Sequence, residues 1–189
     1  MNTFVALGHI LTLLLQLFAA LLVADLFSGV LHWVEDRYLK RHWPVVGRLI
    51  VEANDMHHAC PRAFTKDGFW LRNWPSLFVA AVLALGFCAV GCITVFTVSL
   101  VLVSSVLPTQ AHYWAHRTVE ENPRIVTALQ RAGLFQSAQH HWRHHRGAKD
   151  KYFCTMTNFV NPVLERFQIF QRLERLMSTM ASMQVKIVS

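Results

Sequence analysis

The chain has 189 residues, of which 53% are hydrophobic and only 15% charged, against roughly 25% charged residues in an ordinary soluble domain. Residues 1–24 and 73–116 carry no charged side chain, two blanks of 24 and 44 residues; they exclude intrinsic disorder and argue against a soluble globule, because a membrane span needs about 20 apolar residues. The net charge of +7 comes from 18 Lys and Arg, all between Arg37 and Lys186, and a basic chain with apolar blanks of this length is not expected to have a nucleic-acid partner.

The first blank has no Lys or Arg before residue 37, so it lacks the basic start of a signal peptide. It predicts a retained transmembrane helix over about 4–31, continuing to about Tyr38. Residues 37–73 form a polar connector. The core of the second blank, residues 76–107, would be about 48 Å long as one helix, against a hydrocarbon core of about 30 Å. Two helices, about 75–90 and 92–112, with a tight turn near Gly86–Gly91, fit better. Both flanks of the blank are basic, with Arg37, Lys40, Arg41, Arg48, Arg62, Lys66 and Arg72 on one side and Arg117, Arg124 and Arg131 opening the other. The positive-inside bias then places both flanks in the cytoplasm and the N-terminus outside. Residues 117–160 read as short helices and loops. Pro162 to about Met183 places Val163, Leu164, Phe167, Phe170, Leu173, Leu176, Met177 and Met180 at helical spacing with Arg166, Arg172 and Arg175 interleaved, either an interfacial amphipathic helix or one that caps the cytosolic core. The expected fold is all-α and multi-pass: about three transmembrane helices, a cytosolic helical cap over 37–73 and 117–189, and a single domain spanning 1–189. Cys60, Cys88, Cys92 and Cys154 form no Cys-x-x-Cys pair, so no disulfide framework is expected.

Histidine is the unusual count, at 11. His9 stands alone near the outer end of the first helix and reads as structural. The other ten all fall at or beyond the cytoplasmic ends of the spans. Asp25, Gly29, His32 and Asp36, spaced 4, 3 and 4, share one helical face. His32 and Asp36 are candidate metal ligands. Asp25, costly within a span, is expected to orient a ligand histidine by accepting its ring N–H. The adjacent pair His57 and His58 cannot share a helical face, so it suits two ligands of two metals, or a loop. His112 and His116 are i and i+4 and can bind one ion. His141, His144 and His145 follow as His-x-x-His-His, with His140 beside them. Imidazole suits Zn, Cu, Fe and Ni. Nine clustered histidines exceed the four ligands of one tetrahedral zinc, so two ions are implied. With carboxylates available and no cysteine near the clusters except Cys60, two irons lead.

Motif order adds a resemblance. Asp25-x3-Gly29-x2-His32-Trp33-x2-Asp36 is followed by His57-His58-x2-Pro61, Asn73, HYWAH and His141-x-x-His144-His145. Tyr152-Phe153-Cys154, Asn161 and Val163-Leu164-Glu165 come next. Together they resemble the plasmanylethanolamine desaturase family, which includes the plant chloroplast desaturase acting on phosphatidylglycerol palmitate. The resemblance covers about Asp25 to Leu176. It implies an oxidoreductase: a membrane lipid desaturase with a histidine-rich di-iron centre, which removes hydrogens from an alkyl or acyl chain of a phospholipid with O2 and external electrons. It implies iron ligation by His32, His57, His58, His112, His116, His141, His144 and His145. Asp36 or Asn161 completes the set, and Asn73 and His140 stand outside the ligands, Asn73 to fix a histidine or a water. Electrons must come from a partner, since the chain has no cysteine set for an iron–sulfur cluster and no haem-attachment motif. The basic cytosolic face suits an acidic carrier, cytochrome b5-like or ferredoxin-like. The membrane is then a bacterial inner membrane or an organellar or ER membrane, with the active site on the cytoplasmic side.

Rival readings share some of these features. A di-iron lipid hydroxylase would have the same ligands and topology. A metal transporter needs ligands near the bilayer midplane, yet residues 76–107 hold no His, Asp or Glu. A bis-histidine haem protein needs facing histidines at one depth, which the doublets oppose.

Overall fold

The computed structural model describes residues 2–188; Met1 and Ser189, the ends of the expected single domain, lie outside them. The elements in chain order are α1 (Asn2–Arg37), a π-helical turn over Gly47–Val51 that runs into α2 (Glu52–Ala59), a 3₁₀ turn over Ala63–Lys66, α3 (Phe69–Ala89), α4 (Val95–Ala115), α5 (Arg124–Arg131), α6 (Ala138–His145), α7 (Val160–Arg166) and α8 (Ile169–Val188). Among the described residues no strand occurs. Three helices, Thr3–Arg37, Phe69–Ala89 and Val95–Ala115, are long and apolar enough to cross a membrane. Their outward faces expose Phe4, Leu14, Phe78, Leu85 and Leu102, a surface that suits lipid and not water.

α4 lies between α1 and α3 and packs on both. Small residues let the backbones approach, as membrane helices require: Ala20 and Ala24 of α1 meet Leu100 and Ala111 of α4 in a buried cluster closed by Met156. Ser76 and Thr109 hydroxyls share a 2.6 Å hydrogen bond across the α3–α4 hairpin. At 21 residues each, α3 and α4 are about 32 Å long, close to the hydrocarbon thickness. α1, at 36 residues, is about 54 Å long and continues past that thickness. Its last two turns carry His32 and Asp36.

The hairpin differs from expectation in its details. α3 begins at Phe69, before Pro75, and runs through Gly86 to Ala89. Continuing the helix keeps each backbone group bonded internally, which outweighs the roughly 1 kcal/mol cost of a helical glycine in an apolar medium. The reversal falls instead at Val90–Thr94, where Gly91 has φ +68. Thr94 then caps α4 reciprocally with Thr97, the arrangement that satisfies two orphan donors at a helix start. The tail is also two helices, not one: α7 ends at Phe167–Gln168, with Gln168 at φ +48. α8 caps the core at its start, where Phe170 is buried against Trp33 and Phe153. Farther along it leaves Leu173, Leu176, Met177 and Met180 exposed. The capping reading therefore describes its start, and the expected side chains beyond Met180 lie outside the described residues.

One irregular segment reaches across to α1. Residues 153–157 form a strap between α6 and α7 that is almost wholly buried. It runs against α1 at Gly29. A Cβ there would meet the Cys154 thiol and lie 3.1 and 3.2 Å from Cys154 N and Cα, so glycine is required by close approach.

Candidate metal centre

α1 and α4 bring their C-terminal ends to the same end of the bundle, and α2 and α6 lie across it. Among the described residues two donor groups form there. His57, His112, His116, His141 and His145 make one, and His32, Asp36, His58 and His144 the other; within each, the candidate ligand atoms lie within 4.8 Å of one another. The groups are adjacent, with ring centroids 4.8 Å apart for His58 and His145 and 5.7 Å for His57 and His58. The neighbours His57 and His58 project from α2 into different groups. His144 and His145 likewise divide between them.

Local structure explains the five-histidine group. His112 and His116, one turn apart at the end of α4, have Nε2 atoms 3.0 Å apart. His141 and His145, one turn apart on α6, also have Nε2 atoms 3.0 Å apart. Nitrogens that ligate one ion at about 2.1 Å stand about 3.0–3.4 Å from each other, so both pairs fit shared ligation. His57 fills the gap, its ring centroid 4.6 and 4.7 Å from those of His112 and His116.

The second group is arranged around a carboxylate. Asp36 has no side-chain exposure and stands 3.2 Å from His58 Nε2, 3.3 Å from His144 Nε2 and 3.6 Å from His32 Nε2. Its Oδ1 accepts a 2.6 Å hydrogen bond from Asn54 Nδ2. His32 Nδ1 donates to the Phe153 carbonyl at 3.0 Å, and His144 Nδ1 donates to the Lys151 carbonyl at 2.8 Å. A carbonyl only accepts, so each ring carries its proton on Nδ1 and presents the Nε2 lone pair to the group.

Burial favours the neutral form in the five-histidine group. Burial, with neighbouring imidazoles adding to it, pulls His57 and His141 far below the ordinary histidine range. The same causes hold His116 at about 3 and His145 at about 2. Neutral imidazole is the ligating form. Several buried polar atoms have no protein partner: both nitrogens of His57, Nδ1 of His141 and His145, and Oδ2 of Asp36. Such orphans cost about 1–3 kcal/mol each, and their convergence fits metal ions held by imidazole and one carboxylate.

The remaining sequence candidates take other places. Asp25 accepts no histidine ring N–H, contrary to expectation. Its Oδ1 accepts from Met156 N at 2.9 Å, and its Oδ2 from Thr157 N at 3.0 Å and Thr157 Oγ1 at 2.6 Å; a buried carboxylate needs donors, and the strap's N–H groups supply them. Asn161 stands in neither group. Its Oδ1 accepts from Cys154 N at 3.0 Å and its Nδ2 donates to Cys154 O at 2.7 Å, which leaves its amide engaged with the strap. His140 is also outside both groups, 3.4 Å from Asn161 Nδ2; burial and the nearby Arg143 lower it to about 4. Asn73 is fully buried, donates to Phe69 O, and has an Oδ1 without a partner. The Ser76–Thr109 and Arg72–Tyr113 contacts set it level with His112. His9 is exposed on α1. Asn54, Gln136 and Thr157 are not singled out by the sequence. Asn54 has a signal there, since it precedes His58 by four on α2; the others act across distant segments and have none.

The comparisons with known proteins bear on this arrangement. Residues 21–186 match the lipid desaturase domain family. The chain belongs to the lipid desaturase family. It is 33% identical over 164 residues to fatty acid desaturase 4-like 2, chloroplastic, of Arabidopsis thaliana, covering 83% of this chain and 57% of that protein. It is 30% identical over 163 residues to the plasmanylethanolamine desaturase of Myxococcus xanthus, again covering 83% and 57%. With plasmanylethanolamine desaturase 1 of Mus musculus it shares 29% over 187 residues, 89% of this chain and 66% of that one. The chain thus spans little more than half the length of the plant and Myxococcus relatives. No solved structure matches it. The motif resemblance, the three apolar helices and the histidine groups agree, and they describe an integral membrane protein whose donor groups fit a membrane desaturase.

Proposed function

We propose that this chain is an O2-dependent di-iron lipid desaturase, built as one domain, that introduces a double bond into an alkyl or acyl chain of a phospholipid. The observation that carries the reading is the position of two adjacent nitrogen-rich groups at the end of three apolar helices. His57, His112, His116, His141 and His145 would hold one iron; His32, Asp36, His58 and His144 would hold the other. Iron is favoured because five histidines exceed zinc's tetrahedral set and because imidazole with carboxylate is a donor set of non-haem iron. The irons, when bound, supply the O2 activation that removing hydrogen from unactivated carbon requires. In balance, O2 takes two electrons and two protons from neighbouring CH2 groups and two of each from outside, giving the alkene and two waters.

This chain's own residues position and shield. The Phe153 and Lys151 carbonyls hold the His32 and His144 rings. Asp36 contributes a negative charge beside Lys149, whose Nζ is 3.9 Å from Asp36 Oδ1 and 3.0 Å from Asp55 Oδ1. Electrons arrive from an acidic carrier, cytochrome b5-like or ferredoxin-like, docked on the basic cap. In this reading the cap faces the cytoplasm, because no Lys or Arg occurs before residue 37 or from 73 to 116 and the positive-inside bias puts the basic segments there.

Mass spectrometry of lipids from a host lacking the protein, with and without its restoration, tests the activity. A lipid that loses two hydrogens is expected; a lipid that gains an oxygen would replace desaturation with hydroxylation. Sidedness is tested separately with native thiols. Cys60 is exposed in the cap and Cys92 is exposed at the hairpin turn, so an impermeant reagent should label Cys92 in intact cells and Cys60 only after permeabilisation. The reverse pattern would invert the orientation.

A further inference from the structure

The pattern Asp25-x3-Gly29 lies off the donor groups, yet it grips the strap that, with the residues just before it, anchors two of the ligand rings. We infer that Asp25, with Thr157, Gly29 and Asn161, is a positioning device for one metal position only: it fixes the carbonyls that orient His32 and His144, and so sets the occupancy of the Asp36 group without acting on the five-histidine group. The inference rests on the proposed two-metal reading.

Asp25 is fully buried on α1, seven residues before His32. A carboxylate there is expensive in a span, and its three hydrogen bonds all go to the strap, at Met156 N, Thr157 N and Thr157 Oγ1. The carboxylate only accepts, and the strap offers it only donors. Asn161 takes hold of the next stretch from the other side, bonding both N and O of Cys154. Gln136 adds a 2.7 Å bond to the same Cys154 carbonyl and donates its own backbone N–H to Met156 O at 2.7 Å. Gly29 admits the strap to van der Waals distance of α1. An irregular buried backbone, which would otherwise leave its polar groups unpaired, is thereby fixed by side chains at Cys154, Met156 and Thr157.

The carbonyls that hold His32 and His144 come at Phe153 and Lys151, on either side of Tyr152, a non-glycine residue with φ +59. That conformation is uncommon for a bulky residue. The Tyr152 N–H is held by Glu165 Oε1 at 3.0 Å, so both ends of the kinked stretch are fixed. Such outer partners set ring orientation and ligand basicity and are worth about 10–100-fold in metal affinity. The Nδ1 atoms of His57, His141 and His145 have no such partner. The strap does touch α4, through Thr155 Oγ1 to Pro108 O at 3.5 Å and through Met156 packed by Ala111, but it holds none of these three rings, and it is in this sense that the dependence is selective.

The test is anaerobic titration of the detergent-purified, metal-stripped full chain with ferrous ion, reading equivalents bound and affinity, with helix content followed by circular dichroism. The wild-type chain should take up two equivalents. Asp25→Asn should keep one at wild-type affinity and weaken the other about 10–100-fold. Thr157→Val, a milder change that removes one of the three donors to Asp25 and the acceptor of Phe159 N, should weaken the same equivalent less, and Thr157→Ser should restore it. If Asp25→Asn does not fold, the Thr157 pair decides. Equal weakening of both equivalents, or of neither, overturns the inference while leaving the two-metal reading intact. A wild-type chain that binds a single equivalent overturns that reading, and this inference with it.

Discussion

The five-histidine group is assembled almost entirely by helix geometry: His112 with His116 and His141 with His145 are pairs one turn apart, and their Nε2 atoms already stand 3.0 Å from each other. The Asp36 group also has a helical pair, His32 with Asp36, but its arrangement depends on groups outside it. The His32 ring proton is anchored by a carbonyl 121 residues away, that of His144 by a carbonyl of the irregular segment seven residues on, and the carboxylate by Asn54. Two neighbouring groups of similar size thus differ in what sets their geometry. In the first, preorganisation is local; in the second, it is tertiary. Regular helices tolerate change around them, whereas an irregular segment keeps its shape only while its own hydrogen bonds are made.

The contrast between the two groups is tested most directly at a ligand. His116→Ala should remove metal from the five-histidine group, leave the Asp36 group loaded, and reduce desaturation more than about 100-fold, since even outer partners cost 10–100-fold. His9→Ala, on the exposed far part of α1, should leave both metal content and turnover at wild-type level. Elemental analysis beside product assay reads both variants. Equal losses from the two, at equal expression, would refute the site.

The local group is the more legible of the two in the sequence for this reason. An i, i+4 histidine pair states its own geometry, so His112 with His116 is readable at once, and the split of His57 from His58 follows from the 100° step between neighbours on a helix. The three spans are legible because charge is absent from them and abundant beside them. The strap is not. Asp25 reads as an acceptor for a histidine because the sequence shows an acid on the same helical face as His32 and cannot show that Met156 and Thr157 arrive there first. Asn161 reads as a ligand for a similar reason, although its amide is taken by Cys154, whose thiol burial raises well above its ordinary range and leaves as packing. Irregular backbone has no period, and its partners are set by tertiary approach.

A smaller effect approaches the same contrast from the Asp36 side. Asn54→Leu removes the 2.6 Å donor to Asp36 Oδ1 and leaves the five histidines untouched. The ferrous equivalent held by the Asp36 group should weaken about 10-fold, at the low end for an outer partner, because Lys149 still faces the same oxygen at 3.9 Å. Asn54→Gln, which keeps the amide on a longer stem, should recover part of that loss. Binding isotherms separate these outcomes. Equal weakening of both equivalents, or of neither, would mean that Asp36 does not belong where its geometry puts it.

The smallest effect is expected where α8 fastens the end of α1. Glu174 accepts from Trp33 Nε1 at 3.0 Å and from Arg37 Nε at 2.7 Å, and the Arg37 guanidinium is the main cause that lowers the Glu174 pKa. Arg37 is 36% exposed on its side chain, so solvent screens the ion pair and leaves little of its Coulomb energy. The Trp33 bond is better shielded, and Phe170 stays packed on the indole whether or not Glu174 is present. Glu174→Ala should therefore cost about 1 kcal/mol, a fall of about 2–4 °C in the unfolding midpoint. Both ferrous equivalents should bind as in the wild-type chain, because His32 is held by Phe153 and not by α8. Thermal unfolding in detergent measures the first quantity and titration the second. If Glu174→Ala instead weakened the Asp36 group selectively, the orientation of His32 would be set by the Trp33 stack as well as by the Phe153 carbonyl.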